Sequence, residues 1–306
     1  MTDREAALVG IDVGGTKTHL AVESDAGQRE DLVVPSAQWR SGPVFSDPEN
    51  LLRLADLVSG LAPVGPRTQV VAGLNGVDTP AQVRRAQEAL VGRLGTSHVE
   101  VVNDAELLGP ALGRQPSLQL IVGTGAVVLG RDGAGRPLRA FGFGWMLNDF
   151  GSAPALVREA VRELLLHEDL GRGGDVLGPL LLGSYGVADL EHLALAVSAR
   201  AGLTEWGRLA PLVFQAAEQG SVVARAVIDH SARRLAEGVA ALRRRGAVGS
   251  VVVAAGGVIV HQPRLQEAIR SRLDPDLRLI VLDRPPVEGA LALARLRAAS
   301  LQPASH

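Results

Sequence analysis

Short apolar runs separated by turns begin the chain, and helical patterns follow them. Apolar, largely β-branched residues occupy positions 9, 11 and 13, and then 20–22 and 32–34. Runs of this length between turns are typical of strands. Helical spacing of apolar residues follows at 51–61 and 83–94, and further strands are predicted at 68–74 and 99–102. The order β-β-β-α-β-α-β predicts a mixed sheet with helices on its faces.

The same strand–turn–strand arrangement recurs in the middle of the chain. Residues 118–122 and 126–130 are apolar and flank a glycine turn, and a third strand is predicted at 138–141. The later pattern predicts helices at 153–170 (capped by Ser152), 187–199, 205–219, 221–245, 263–273 and from 287, with strands at 250–254 and 277–282. The repetition predicts two related α/β domains, 1–110 and 111–306. We expect the last helix, about 287–299, to pack back on the N-terminal domain.

The first glycine turn carries the residue types of a phosphate site. Asp12 ends the incoming strand, and Gly14, Gly15, Thr16 and Lys17 follow it. Paired glycines permit a positive φ and bring bare N–H groups close to a ligand. A carboxylate can hold a hydrated divalent cation, and Thr and Lys donate to phosphate oxygens. The turn therefore predicts a phosphate–magnesium site.

Two known phosphate motifs do not fit this turn. A P-loop requires Lys where Thr16 stands, and a helix where the sequence predicts a strand. A dinucleotide-binding fingerprint requires a third glycine and a helix. An ordinary glycine hairpin with a surface carboxylate stays open as an alternative. Chance similarity between the two glycine turns stays open as well.

Polar side chains follow three of the predicted strands. These residues are Asp12, Asn75 and the pair Asn103-Asp104. Ligands of such sheets gather where strand ends meet loops, so we expect these side chains to share one crevice. Asp104 has two interpretations, because Asn and Asp also cap helices well. It is either a helix cap or a general base.

Composition excludes several classes of function. The 306 residues, 46% of them hydrophobic, suit roughly two domains. A net charge of −2 with five Phe, three Trp and one Tyr predicts no nucleic-acid partner. The lack of cysteine excludes disulfides and Cys-ligated metal clusters, and the seven histidines show no metal-ligand spacing. The start lacks a signal-peptide core, and glycines interrupt the longest apolar run, 248–260. We therefore expect a cytoplasmic protein with no membrane segment.

Five segments occur in a recognisable order along nearly the whole chain. They are Asp12-Val-Gly-Gly-Thr16, Asn103-Asp104-Ala105, Gly123-Thr124-Gly125, Gly144-Trp145 with Asp149-Phe150-Gly151-Ser152, and Ala255-Gly256-Gly257-Val258. Together they resemble the BadF/BadG/BcrA/BcrD ATPase family. Within that family, the chain is similar to the N-acetylglucosamine kinase branch of the actin–hexokinase–Hsp70 superfamily.

The resemblance implies an α/β fold of two ribonuclease-H-like, actin-like ATPase domains with a cleft between them. The N-terminal domain would form the sugar side and the C-terminal domain the nucleotide side. ATP and Mg²⁺ are the implied cofactors, and a homodimer is expected. In this frame Asp12 holds Mg²⁺ and Asp104 is the general base. Phosphate contacts would come from Gly14, Gly15, Thr16, Lys17, Gly123, Thr124 and Gly125, adenosine contacts from Gly256 and Gly257, and sugar contacts from Asn75, Asn103, Asp104, Asp149 and Trp39.

The expected function is therefore transfer of the γ-phosphoryl group of ATP to the 6-hydroxyl of N-acetylglucosamine or a close relative. Glucosamine and N-acetylmuramic acid stay open as acceptors. Phe150 stands where the family usually has a carboxylate, and Ala126 where related kinases have serine. These departures leave open a catalytically weak sugar sensor of the same fold. A dehydratase activator would need a cysteine-held cluster, which this chain cannot form.

Overall fold

The computed structural model describes residues 6–200 and 202–301. Contacts divide the chain into two compact units. Unit 1 comprises the residues up to Gln115 together with those from Asp283 onward, and unit 2 is Pro116–Leu282. The sequence-based boundary after residue 110 falls inside a short helix, Leu108–Ala111, that belongs to unit 1.

Strands and helices alternate in the predicted α/β manner. The strands are β1 (Ala6–Val13), β2 (Lys17–Ser24), β3 (Arg29–Pro35), β4 (Val64–Leu74), β5 (Val99–Asn103), β6 (Leu118–Val122), β7 (Ala126–Arg131), β8 (Pro137–Phe141), β9 (Val251–Ala255) and β10 (Arg278–Val281). The helices are α1 (Glu49–Leu61), α2 (Pro80–Leu94), α3 (Leu108–Ala111), α4 (Ala153–Asp169), α5 (Leu177–Tyr185), α6 (Leu190–Ala199), α7 (Leu203–Gly207), α8 (Ala210–Glu218), α9 (Val222–Arg244), α10 (Gly257–His261), α11 (Pro263–Arg270) and α12 (Val287–Leu301). Single 3₁₀ turns occupy Ser36–Gln38 and Asp104–Leu107.

The two sheets share one topology. In unit 1 the strand order is β3-β2-β1-β4-β5, and in unit 2 it is β8-β7-β6-β9-β10. In each sheet the first strand in sequence is central, with antiparallel hairpin strands on one side and parallel strands on the other. The predicted mixed sheets and the duplicated design are thereby confirmed.

Helix boundaries depart from the sequence predictions at several points. The segment predicted as one helix at 205–219 is two helices, α7 and α8, and Pro211 lies in the first turn of the second. Helix α5 was not predicted. Ser152 is the N-cap residue of α4 as predicted, but its side chain makes no capping hydrogen bond and its buried Oγ has no partner. The long helix at 221–245 is confirmed as α9, with Ser221 as its cap.

Helix α12 completes the core of unit 1. Ala290 and Ala294 pack against Val71 of β4, Val102 of β5 and Leu107. A Cβ atom at Gly10 of β1 would lie 2.9 Å from the side chain of Leu291, so the glycine permits close helix–sheet contact. The helix therefore supports the strands whose ends carry Asp12 and Asp104.

Membrane-span criteria are not met by any single helix in the described ranges. Helices α5 and α6, bent by 54°, meet the length and composition test only as a pair.

Candidate active site

The carboxyl ends of β1, β4 and β5 gather the polar residues of unit 1. Asp12 pairs with Gly73 of β4, and Leu74 pairs with Asn103 of β5. The backbone N–H of Asn75 donates to Val13 O at 2.9 Å, and its side-chain Nδ2 donates to Oδ2 of Asp104 at 3.2 Å. The strand register thus assembles Asp12, Asn75 and Asp104 at one edge of the sheet.

Gly73 permits this close assembly. A Cβ atom there would lie 3.2 Å from Cα of Asp104 and would overlap the side chain of Leu107. Any larger residue would push the turn that carries Asp104 away from β4. Sequence reasoning missed this role, because the glycine inside an apolar strand gave no signal of what approaches it.

The two carboxyl groups of this edge have raised pKa values. Burial, followed by the negative charge of Asp104, raises the pKa of Asp12 to about 7, against the opposing effect of Lys17. Burial also raises the pKa of Asp104, although hydrogen bonds from Asn75 and the N–H of Ala105 act in the other direction. Burial thus disfavours the ionised form of each carboxyl group. A cation bound beside Asp12 would favour the ionised form and lower the pKa again.

These residues fit a magnesium ion of the kind that phosphate substrates bring with them. Mg²⁺ is commonly held by one or two carboxylates, water and substrate phosphates. Within the described ranges no group of three or more His, Asp or Glu side chains could hold a metal ion by itself. A cation here would therefore depend on Asp12 together with ligand oxygens.

Asn103, and not Asp104, occupies the N-cap position of the 3₁₀ turn Asp104–Leu107. Asn103 Oδ1 accepts from the N–H of Ala105 at 3.0 Å, and Glu106 Oε1 accepts from the N–H of Asn103 at 3.3 Å. This is a complete capping box. Nδ2 of Asn103 donates to Val77 O and Asp78 Oδ1, each at 3.2 Å. Asn103 is thus committed to internal hydrogen bonds.

The first glycine turn is a tight hairpin connection between β1 and β2. Its closing bond runs from the N–H of Gly14 to Lys17 O at 2.9 Å. A Cβ atom at Gly15 would meet nothing within 4 Å, and Thr16 and Lys17 are exposed. The reasoning that the paired glycines adopt positive φ is wrong, since neither does. Their small size matters instead, because the backbone of Gly15 faces open space.

Trp39 lies in the core of unit 1. It is only 6% exposed, and its Nε1 donates to Thr18 Oγ1 at 2.9 Å. The expectation that this ring contacts a sugar does not fit such burial. The next residue, Arg40, was assigned no role from the sequence. Its Nη2 donates to the carbonyl oxygens of Gly14 and Gly15, at 3.0 and 2.8 Å.

The second glycine turn lies in unit 2 beside the glycine pair that follows β9. The N–H of Gly123 donates to Gly125 O at 2.8 Å, and Thr124 lies between them. A Cβ atom at Gly123 would lie 3.3 Å from the backbone nitrogen of Gly257. Gly256 has φ of +107°, and a Cβ atom there would lie 2.7 Å from Val122 C. The predicted phosphate turn and the predicted adenosine segment are therefore in contact.

Asp149 braces the second turn. Its Oδ1 accepts from the N–H of Gly144 at 2.8 Å, and the N–H of Ala126 also donates to its carboxylate. A Cβ atom at Gly125 would lie 3.2 Å from its Oδ2. Burial raises the pKa of Asp149, and these N–H groups oppose the rise. The carboxylate, 7% exposed, is largely used by the protein itself.

Phe150, a departure from the pattern that the resemblance implies, is half-buried in unit 2. Its ring meets Phe141 edge to face with centroids 5.0 Å apart, and the Arg234 guanidinium lies 5.5 Å from its centroid. Aromatic and cation–π contacts of this kind stabilise a fold.

Comparison with known proteins identifies relatives that match nearly the whole chain. No protein-family model matches it. A curated N-acetylmuramic acid/N-acetylglucosamine kinase from Clostridium acetobutylicum is 27% identical, covering 94% of this chain and 98% of the relative.

Solved structures extend the comparison to the fold. A protein proposed to be an N-acetylglucosamine kinase from Chromobacterium violaceum superposes with a TM-score of 0.66 at 22% identity, covering 94% of this chain and 98% of that one. A ROK family glucokinase from Streptomyces griseus, in complex with glucose and AMPPNP, gives 0.55 at 19% identity, with coverage of 94% and 98%. The predicted resemblance to N-acetylglucosamine kinases is confirmed at the level of similarity: the chain is similar over nearly its whole length to the curated kinase, and it has the fold of these solved sugar kinases.

Proposed function

We propose that the chain is an ATP-dependent amino-sugar kinase that phosphorylates the 6-hydroxyl of N-acetylglucosamine or N-acetylmuramic acid. The observation that carries the proposal is the edge of the unit 1 sheet. There, Asp12 and Asp104 both lie beside Gly73, next to the first glycine turn. Burial and the negative charge of Asp104 raise the pKa of Asp12. The full-length similarity to a curated kinase with these two sugars in its name supports the same acceptor class.

Phosphoryl transfer requires positioning and charge neutralisation more than covalent help from the protein. Mg²⁺, held by Asp12, would supply neutralisation of the phosphate charge when bound. The exposed N–H groups of Gly15, Thr16 and Lys17 would donate to the β- and γ-phosphates. Unit 2 would contribute the turn Gly123, Thr124 and Gly125 to the phosphate chain, and Gly256 and Gly257 to the adenosine.

Asp104 is the proposed base. The 6-hydroxyl oxygen forms a bond to the γ-phosphorus, the bond between that phosphorus and the departing ADP oxygen breaks, and the hydroxyl proton passes to Asp104. A raised pKa suits this role, because the carboxylate must take a proton at the moment the new bond forms. Asn75, which donates to Asp104 Oδ2, orients the carboxylate.

We propose fewer sugar contacts than the family resemblance implies. Asn75 is exposed and Asp104 is half-buried at the carboxyl ends of β4 and β5, and both are proposed to contact the acceptor. Asn103 and Asp149 are proposed to act indirectly, because their side chains are taken up by hydrogen bonds within the protein. Trp39 is left out because of its burial.

A coupled ADP-release assay tests the function. The wild-type protein with ATP and Mg²⁺ should release ADP when N-acetylglucosamine or N-acetylmuramic acid is added, and the product should show phosphorus bonded at O6 by NMR. Glucosamine, glucose and N-acetylmannosamine complete the acceptor panel. Sugar-dependent thermal stabilisation without ADP release on any acceptor would contradict the kinase and favour the sensor.

A further inference from the structure

Arg40 holds the first glycine turn from its carbonyl side. Nη2 donates to Gly14 O at 3.0 Å and to Gly15 O at 2.8 Å. Among the hydrogen bonds of the described residues, Arg40 alone supplies one to Gly15 O. The guanidinium carbon lies 5.9 Å from the ring centroid of Trp39, which is itself buried. The half-buried arginine therefore packs against a fixed side chain of the core.

These two bonds determine where the opposite side of the turn points. In a trans peptide the carbonyl and the following N–H are antiparallel within one plane. Fixing the carbonyls of Gly14 and Gly15 therefore directs the N–H groups of Gly15 and Thr16 away from the guanidinium. Glycine has more backbone freedom than any other residue, so this segment has most to gain from restraint.

Other restraints on the turn act on its ends. Ser36 Oγ donates to Gly14 O at 3.1 Å, and the N–H of Ser36 donates to Thr16 O at 2.9 Å. Both are neutral donors, whereas the arginine is a permanent cation. A cation on the carbonyl oxygens polarises the peptide groups, which makes their N–H groups stronger donors to an anion.

We propose that Arg40 is a positioning residue for the nucleotide, which preorganises the N–H groups of Gly15 and Thr16 to receive phosphate oxygens. This inference rests on the proposed function and deepens it. It predicts that Arg40 matters for the phosphates of ATP and not for its adenosine, whose proposed contacts lie in unit 2.

A second role for the same guanidinium would be recognition of an acidic acceptor. Nη1 and Nε of Arg40 have no hydrogen-bond partner in the described ranges, and N-acetylmuramic acid carries a carboxylate. The two roles differ in what they predict. Positioning of the turn affects ATP with every acceptor, whereas carboxylate recognition affects one acceptor only.

The test compares Arg40→Met and Arg40→Lys with Arg93→Met. Arg93 is an exposed arginine of the same unit that pairs with Asp56, so its replacement removes the same charge elsewhere. Calorimetry measures the Kd of ATP·Mg²⁺ and of adenosine, and steady-state kinetics measures kcat and each KM. Arg40→Met should weaken ATP about 10- to 100-fold, since charge-assisted hydrogen bonds are lost. Adenosine should bind as in the wild type, and Arg40→Lys should fall in between.

The outcomes separate this inference from the proposed function. Failure of the wild type to bind ATP or to turn over would remove the proposed function itself. A working wild type with unchanged ATP affinity in Arg40→Met and Arg40→Lys would overturn the positioning role. A loss confined to the KM of N-acetylmuramic acid would also overturn it. If Arg40→Met does not fold, Arg40→Lys decides, with weakened ATP binding and unchanged adenosine binding as the supporting result.

Discussion

Asn75 donates from Nδ2 to Oδ2 of Asp104 across 3.2 Å, and this bond joins the end of β4 to the end of β5. An amide donor stabilises the charged form of a carboxylate, so Asn75 lowers a pKa that burial has raised. The bond therefore both aims the proposed base and sets the pH at which it works.

Replacement of Asn75 should shift the pH dependence of the reaction. In Asn75→Ala the pKa of Asp104 should rise further. As the pH is lowered, the active deprotonated carboxylate should therefore become protonated at a higher pH than in the wild type. The acidic limb of kcat/KM, which reports the free enzyme, should move to higher pH. Asp78 has the opposite effect, because its charge raises the pKa of Asp104. Asp78→Asn should therefore move the limb to lower pH, and shifts in the same direction for both variants would contradict the assignment.

Removal of the base should leave binding intact. In Asp104→Asn, kcat should fall about 10²- to 10⁴-fold, the range attributed to general-base catalysis. ATP·Mg²⁺ should still bind, because the proposed phosphate contacts lie on other residues. Steady-state rates and calorimetry on the same preparation check the two statements. Retention of more than a tenth of the wild-type kcat would exclude Asp104 as the base.

The edge of the unit 1 sheet could be predicted from the sequence because register follows from strand order. Asp12, Asn75 and Asp104 each follow an apolar strand, and the parallel pairing of β1, β4 and β5 brings such ends together. Arg40 and Asp149 could not be assigned in this way. Arg40 donates to the carbonyl oxygen of Gly14, which lies 26 residues earlier in the chain. Asp149 accepts from the N–H of Gly144 within the same glycine-rich loop. Neither the residue type nor the spacing in the sequence predicts such contacts.

The burial of Trp39 and the backbone conformation of the first glycine turn could not be predicted from the sequence either. Trp39 stands in a polar segment, yet it packs in the core. Thr18 Oγ1 accepts from its indole N–H, and the hydroxyl groups of Thr18 and Ser36 are hydrogen-bonded to each other. Gly14 and Gly15 were expected to adopt positive φ, which a glycine pair allows but does not require. In both cases tertiary contacts decide among conformations that the local sequence leaves open.

Replacement of Asp149 tests its role as a brace. Asp149→Asn keeps the shape but offers one acceptor oxygen where two backbone N–H groups point. We expect a loss of about 1–3 kcal/mol in unfolding free energy and a raised KM for ATP, since the second turn is loosened. Asp132→Asn is the matched control. Asp132 accepts from the N–H groups of Ala134 and Arg136 in the β7–β8 turn. Asp132→Asn should lower the free energy of unfolding and leave the KM for ATP unchanged. Equal KM values for ATP in the two variants would contradict the role of Asp149 in holding the second turn.

Acid stability of unit 2 should depend on Asp175. Burial acts to raise its pKa, but bonds from Ser221 and from the N–H groups of Leu177, Val223 and Val222 outweigh burial and hold the pKa below its ordinary value. A lowered pKa stabilises the fold above the unfolded value of about 3.9, and this stabilisation is lost as pH falls through the folded value. Asp175→Asn should therefore lower the urea midpoint at neutral pH and flatten its acid dependence.

An exposed glutamate provides the control for Asp175. Glu267 pairs with Arg270 on the surface of α11, and such pairs contribute little. Glu267→Gln should leave both the midpoint and its acid dependence close to those of the wild type. Two results would contradict Asp175 as the source of acid sensitivity. One is a flattened acid dependence of the urea midpoint in Glu267→Gln, and the other is an unchanged acid dependence in Asp175→Asn.

Gly289 on α12 determines how closely that helix approaches the turn of Asp104. A Cβ atom there would overlap Leu107 O and would lie 2.8 Å from Leu107 C and 2.9 Å from the backbone nitrogen of Ala111. These are backbone atoms that cannot rotate aside, so Gly289→Ala must displace either the helix or the turn. We expect a loss of about 1–3 kcal/mol in unfolding free energy and a lower kcat, because Leu107 ends the 3₁₀ turn that begins at Asp104. Gly92→Ala is the control: Gly92 lies in α2 with nothing within 4 Å of its Cβ position, so alanine should stabilise by about 0.5–1 kcal/mol. Urea titrations of both variants give the free energies, and a Gly289→Ala protein as stable and active as the wild type would show that α12 does not hold the turn in place.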